Sequence, residues 1–271
     1  MQQEHLEKFR GWFGDYVASF YGDDEFINAN LKLKEEHSLR TCEQMLYLSD
    51  ELGLDRTQKR IAEVIVIFHD IGRFEQFVKY QTYNDHRSTN HCLLGLDVLC
   101  RTKLFNGINK KQKQLIEKAI EYHGLKELPT DLNGDYLLFS RLIRDADKLD
   151  IFYVVTTYYR QYRDNPEEFM LELEFPDEPD YSAHVVEDVL CGRRTDYSRL
   201  RTLNDMKLLQ LGWVYDVNFT ATLKRIKESG FLDMIIDFLP ATEEVENIRK
   251  KIFDYIEYEI KNEDKNSGIK I

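Results

Sequence analysis

Four of the seven histidines stand among neighbours that suggest chemistry. His37 lies in EEHSLR, and His69 is followed at once by Asp70 in IFHDIGRFEQF. His91 opens HCLLG, and His123 ends the stripe Ile116, Ala119, Ile120, His123. Further on, RLIRDADKLDIF carries Asp145, Asp147 and Asp150. Imidazole nitrogen and carboxylate oxygen without thiolate make a donor set suited to Fe, Mn, Zn and similar divalent ions. Each residue taken singly is ordinary, because a lone histidine at a helix end more often caps the helix or fills the core. As a group they sit on separate helical segments whose packing could bring them into one cleft.

The segments that must do this positioning nearly all have helical period, and only five prolines interrupt the chain. Leu6, Phe9, Phe13, Tyr16, Val17 and Phe20 predict an amphipathic first helix. A second helix is expected from about Asp24 to Leu52, capped by Asp23 or Asp24 and stopped by Gly53. Residues Asp55–Asp70 read as a third, with Val64–Phe68 apolar on all sides and Gly72 as its C-terminal glycine. Ser88 is the expected cap of a helix running to Leu99, and Asn109 of one ending at His123 before Gly124. A long helix should pass from near Asp135 through Arg160, after which Asn165–Pro166 and FPDEPD break the pattern. Helical period resumes at Tyr181–Leu190, Leu200–Val217, Phe219–Glu228 and Thr242–Lys261. The fold class is all-α.

The charge balance, 37 Lys+Arg against 49 Asp+Glu for a net −12, argues against a duplex-binding surface, which needs clustered cations. No nucleic-acid partner is therefore expected. The longest apolar runs, Val64–Phe68 and Ile151–Val155, are far too short to span a bilayer, so no membrane partner is expected either. Four scattered cysteines without a CxxC pair, and an N-terminus too charged for a signal peptide, suit a cytoplasmic protein with reduced thiols.

The order His37, His69-Asp70, Asp147 resembles the HD superfamily of metal-dependent phosphohydrolases. HDIG at 69–72, the His-x3-Gly-x3-Leu run at His91–Leu99, AIEYHG at 119–124 and RDADKLD at 144–150 fall in the expected order. The resemblance covers about residues 30–160. It implies a single all-α domain over 1–271: an HD helical bundle, additional C-terminal helices at about 161–262, and a frayed tail at 263–271. It further implies that His37, His69, Asp70 and Asp147 bind one metal, and that His91 and His123 help to hold a second, with Asp70 bridging. The expected cofactor is one or two divalent ions (Mn, Fe, Mg, Zn, Ni or Co), which activate water for in-line attack on phosphorus.

Residues two apart on a helix point about 200° apart, so only one of Asp145 and Asp147 can face the site. The Ala-Asp-x-Leu form of the family motif falls on Ala146–Leu149 and favours Asp147, leaving Asp145 to a surface pair with Arg141. Arg73 stands where (p)ppGpp hydrolases and small 5′-nucleotidases of the superfamily carry a carboxylate, and where its dNTP triphosphohydrolases carry a histidine. The first two activities are discounted, and the further histidine of the third is absent here. The implied reaction is hydrolysis of a phosphomonoester or phosphodiester of a small metabolite, a nucleotide first. His69, Asp70, Arg73 and Lys148 are the catalytic candidates. Arg73, Arg87 and Lys148 are the substrate-binding ones, and Arg193-Arg194 is more simply a solvated pair. Two alternatives stay open: a di-iron oxygenase of the same superfamily, and a nucleotide-binding regulator without turnover. The C-terminal apolar stripes would serve a homodimer interface or an intramolecular core equally well.

Overall fold

Capping side chains decide where the site's helices begin. In the computed structural model, which describes residues 1–172 and 174–267, α1 spans Gln3–Ala18 and α2 spans Glu25–Glu51. Asp24 caps α2 by accepting the Ile27 N–H, and Gly53 follows its end at φ +65°, a conformation that favours glycine. Asp55 starts α3, Arg56–Phe68, through a reciprocal capping box with Gln58. Ile61 through Phe68 are all buried, so α3 is central, with α1, α2 and α6 (Lys110–His123) packed around it. Phe9, Phe68 and Phe105 meet edge to face at 5.5–5.7 Å beneath its C-terminal end.

The third helix stops at Phe68, so His69 and Asp70 lie in a tight turn rather than on the helix. That overturns the expected role of Gly72, which opens the next helix, α4 (Gly72–Tyr80). Close approach is what requires glycine there: a Cβ at Gly72 would lie 2.3 Å from the His91 carbonyl oxygen and 2.6 Å from Gly95 N. The contact joins α4 to α5, His91–Arg101. Asn90, not Ser88, caps α5, because the Ser88 hydroxyl is already engaged with Gln76 and the Asn84 carbonyl. Asn109 caps α6 and Gly124 closes it, as the sequence predicts. The long helix, α7, runs Gly134–Asp164.

The described residues form two compact units. The first comprises Met1–Asp150 with the short return segment Met170–Glu172. The second holds Ile151–Phe169 and the described part of Leu173–Ile271. Its helices are the second half of α7, then α8 (Ala183–Leu190), α9 (Leu203–Gly212), α10 (Thr220–Ser229), α11 (Phe231–Ile236) and α12 (Glu243–Ser267). The expected Leu200–Val217 helix starts at Leu203 and tightens to a 3-10 turn over Trp213–Asp216. Phe152 packs edge-on against Trp213 in this unit, and the Tyr159 hydroxyl donates to Gln210 Oε1. The last helix continues past the expected Lys261 to Ser267; positions 268–271 of the expected frayed tail lie outside the described residues. Among the described residues there is no strand, and no helix is long and apolar enough to cross a membrane.

Candidate metal centre

Five pieces of the first unit deliver six side chains to one place. His37 comes from the middle of α2, His69 and Asp70 from the α3–α4 turn, His91 from the first turn of α5, His123 from the last of α6, and Asp147 from α7. The four histidines and Asp70 are buried, and the Asp147 side chain is one-fifth exposed.

Each imidazole is held by its outer nitrogen. His69 Nδ1 lies 2.7 Å from the Val66 carbonyl and His123 Nδ1 2.6 Å from the Ile120 carbonyl, both acceptors left open in the last turn of a helix. His37 Nδ1 meets Asp150 Oδ2 at 2.7 Å, and His91 Nδ1 meets Asp85 Oδ2 at 2.7 Å. Carbonyl and carboxylate oxygens only accept, so all four Nδ1 atoms donate, and in the neutral ring each Nε2 carries a lone pair. Those lone pairs point inward.

Asp70 lies between two sets of them. His37 and His69 Nε2 approach its Oδ2 at 3.6 and 3.7 Å, and approach Asp147 Oδ1 at 3.1 and 3.7 Å. His91 and His123 Nε2 approach Asp70 Oδ1 at 3.5 and 3.7 Å and lie 3.1 Å from each other. Donor atoms about 2.1 Å from one ion, spread by 90–120°, lie roughly 3.0–3.7 Å apart. Every one of these separations falls in that range. Furthermore, His37 Nε2 and His69 Nε2 are buried without any hydrogen-bond partner. Buried polar atoms are ordinarily paired, so two orphaned nitrogens aimed at two carboxylates fit a cation. The buried groups His37–His69–Asp70 and His91–Cys92–His123 each bring ligand atoms close enough to hold an ion.

The electrostatics agree. Burial opposes the charge of Asp70, yet Lys34 and His69 outweigh it and hold the carboxyl well below the usual range. Burial likewise opposes ionised Asp147, and the His37 and His69 rings beside it outweigh that and hold its carboxyl well below the usual range. Cys92 is buried, which raises a thiol pKa, but His123 and His91 beside it bring it down to about 5.

Asp147 faces the cluster, whereas Asp145 is fully buried and so makes no surface pair with Arg141. Arg73 is tied down: one guanidinium nitrogen serves the Tyr83 carbonyl, Asp85 and Gln76 at 2.5–2.8 Å, while Nε stands 3.6 Å from Asp70 Oδ1. Lys148 is half-buried on α7 next to Asp147, and Arg87 is exposed on the loop before α5, as is His86. Arg193 pairs with Glu187 and Asp188, and Arg194 with Asp216, in the second unit.

Three contributors went unread in the sequence. Lys34 Nζ sits 2.8 Å from Asp70 Oδ2; its position one turn before His37 on the same helix face was the available signal. Asp85 orients His91, and Asp150, read there only as a neighbour of Asp147, orients His37. Asp150 is itself held by Arg40, and Asp85 by Arg73. Each half of the cluster thus ends in an Arg–Asp–His chain.

Residues 35–151 match the family described as HD domain. No curated protein and no solved structure matches the chain.

Proposed function

We propose, from the match of residues 35–151 to the HD domain, a family whose members are in general metal-dependent hydrolases, that the chain hydrolyses a phosphate ester of a small metabolite, a nucleotide being the first class to test. The observation that carries the reading is Asp70, whose two oxygens each face a separate histidine set. In this reading His37, His69, Asp147 and Asp70 Oδ2 hold one ion, and His91, His123 and Asp70 Oδ1 a second. Bound ions supply positive charge to phosphoryl oxygens and lower the pKa of water. The chain's own part is to fix the ligands and meet the substrate. The Nδ1 bonds lock the four rings, and their burial keeps bulk water from the lone pairs.

Among the described residues Lys34 makes its one ion pair with Asp70, which places its ammonium beside the centre where a phosphoryl oxygen would be met, whereas one nitrogen of Arg73 is held by Gln76, Asp85 and the Tyr83 carbonyl. Lys148 and Arg87 are the further proposed substrate cations. Lys34→Ala is expected to lower kcat/KM about 10- to 100-fold, the worth of one hydrogen bond to a charged group, with metal content unchanged. A variant with wild-type kcat/KM removes Lys34 from this role.

Acid should release the metal. Ligand nitrogens must be unprotonated, and burial, which lowers the pKa of His37 and His123, is outweighed by their acidic neighbours, so both are raised. Protons therefore compete from above the ordinary imidazole value of about 6.5 downward. Mn2+ titrations at pH 8, 7 and 6 should show affinity falling at each step; a flat profile contradicts histidine ligation.

The test of the function itself is product release by metal-replete protein on a panel of nucleoside monophosphates, cyclic nucleotides and other phosphodiesters. Phosphate or monoester release supports hydrolysis. Oxygen uptake on adding a polyol or phosphonate would replace it with oxygenase chemistry, and tight nucleotide binding without turnover with a regulator.

A further inference from the structure

The segment Met170–Glu172 belongs to the first unit although the chain on both sides of it belongs to the second. Its attachments are specific. Buried Asn30 on α2 donates from its side-chain amide to the Met170 carbonyl at 3.2 Å, and its Oδ1 accepts the Glu172 N–H at 3.3 Å. The Glu172 carboxylate then takes two donors from the turn after α4: the Thr82 hydroxyl at 2.5 Å and the Tyr83 N–H at 3.1 Å. Tyr83 is also fixed at its far end, where its hydroxyl donates to the Asn30 carbonyl at 2.7 Å.

From this turn a continuous set of hydrogen bonds leads inward. The Tyr83 carbonyl accepts from Arg73, Arg73 donates to Asp85 Oδ1, Asp85 Oδ2 accepts from His91 Nδ1, and His91 Nε2 faces Asp70 Oδ1. Gln76 braces the same loop through Asp85, Ser88 and the Thr89 carbonyl. In the other half, the His37 ring is held by Asp150, which Arg40 holds in turn, and the His69 ring by the Val66 carbonyl at the end of its own helix, with no hydrogen bond from the Thr82–Asp85 turn to either ring among the described residues.

We propose that Glu172 is a positioning residue for the His91–His123 half of the centre, acting through the Thr82–Asp85 turn to set the orientation of His91. The inference rests on the two-ion reading above. Partners one shell out from a metal ligand typically control 10- to 100-fold in affinity. Glu172 acts one shell further out, so the low end is expected, about 10-fold.

The test is Co2+ titration of the metal-free full chain, followed by absorbance and calorimetry, in wild type, Glu172→Ala, Glu172→Gln and Asp85→Asn. Wild type should bind two Co2+. Asp85→Asn should weaken one site strongly, and Glu172→Ala should weaken that same site about 10-fold while the other stays within twofold. Glu172→Gln keeps one acceptor oxygen and should fall between, which also guards against a misfolded alanine variant. If the two sites weaken equally, Glu172 is merely structural and the inference is overturned. It is equally overturned if Asp85→Asn loses a site that Glu172→Ala retains unchanged, although the two-ion reading then survives. A wild-type chain that takes up a single Co2+ defeats the two-ion reading itself, and the inference with it.

Discussion

If the proposed two-ion reading holds, Asp70→Ala is expected to lower metal content from two ions per chain to less than about one and to drop kcat/KM at least about 1,000-fold. The reason is position. Both histidine pairs lean on this one carboxylate, Oδ2 toward His37 and His69 and Oδ1 toward His91 and His123. Removing it would take the proposed shared ligand from each half and leave Lys34, now 2.8 Å from Oδ2, without its counter-charge. A loss of 1,000-fold is about 4 kcal/mol, in keeping with the several kcal/mol that metal charge contributes to such reactions. Asp70→Asn sharpens the test, since one carbonyl oxygen remains and one half can keep its ion. Elemental analysis of both variants beside product release decides it. Undiminished metal in Asp70→Ala would show that the carboxylate is not a shared ligand.

Gly72→Ala should be the most damaging single methyl in the first unit. The added Cβ would meet the backbone oxygen of His91 at 2.3 Å and the backbone nitrogen of Gly95 at 2.6 Å, and no side-chain rotation relieves either. Helices α4 and α5 must part, dragging His91 from its place. Overpacking ordinarily costs about 1–3 kcal/mol and more where backbone is hit, so roughly 3 kcal/mol or above is expected. For a chain of this size that is a fall in Tm of about 10 °C. Gly95→Ala is the milder comparison: its Cβ meets the Ile71 Cγ2 methyl at 3.2 Å and backbone no nearer than 3.4 Å, and alanine is the better helix former. Thermal melts of the metal-free proteins should separate the two, and equal melting temperatures would refute the close-contact argument.

Much of this arrangement was legible in the residues, and the exceptions have physical causes. Asp24, Asp55 and Asn109 are caps because short polar side chains reach free N–H groups; Asn109 and one of the pair Asp23 and Asp24 were expected in that role, and Asp55 was read only as the start of its helix. Helix α4 gave no such signal: Ile71 precedes it and offers no capping side chain. Hence HDIG read as the end of one helix, when the backbone turns sharply between two. The histidines were recognisable by their order along the chain. Their holders were not all so, because Asp85 lies on a loop where no periodicity ties it to His91. Glu172 is 90 residues from the Thr82 hydroxyl it accepts from, and no local rule reaches that far. Helix geometry allowed only one of Asp145 and Asp147 to face the cluster and the motif favoured Asp147, which does face it, but neither foresaw the burial of Asp145.

The orphaned nitrogens of His37 and His69 bear on how long the protein lasts, apart from what it catalyses. A buried polar atom left without a partner costs about 1–3 kcal/mol, so leaving these two unligated would weigh on a fold whose whole margin is commonly about 5–15 kcal/mol. An ion bound to the native chain and not to the unfolded one returns that margin, by about 4 kcal/mol at a thousand times its dissociation constant. Shortage of the ion would then shorten the lifetime of the polypeptide through more frequent unfolding and proteolysis, and supply of the ion would set how much protein a cell keeps.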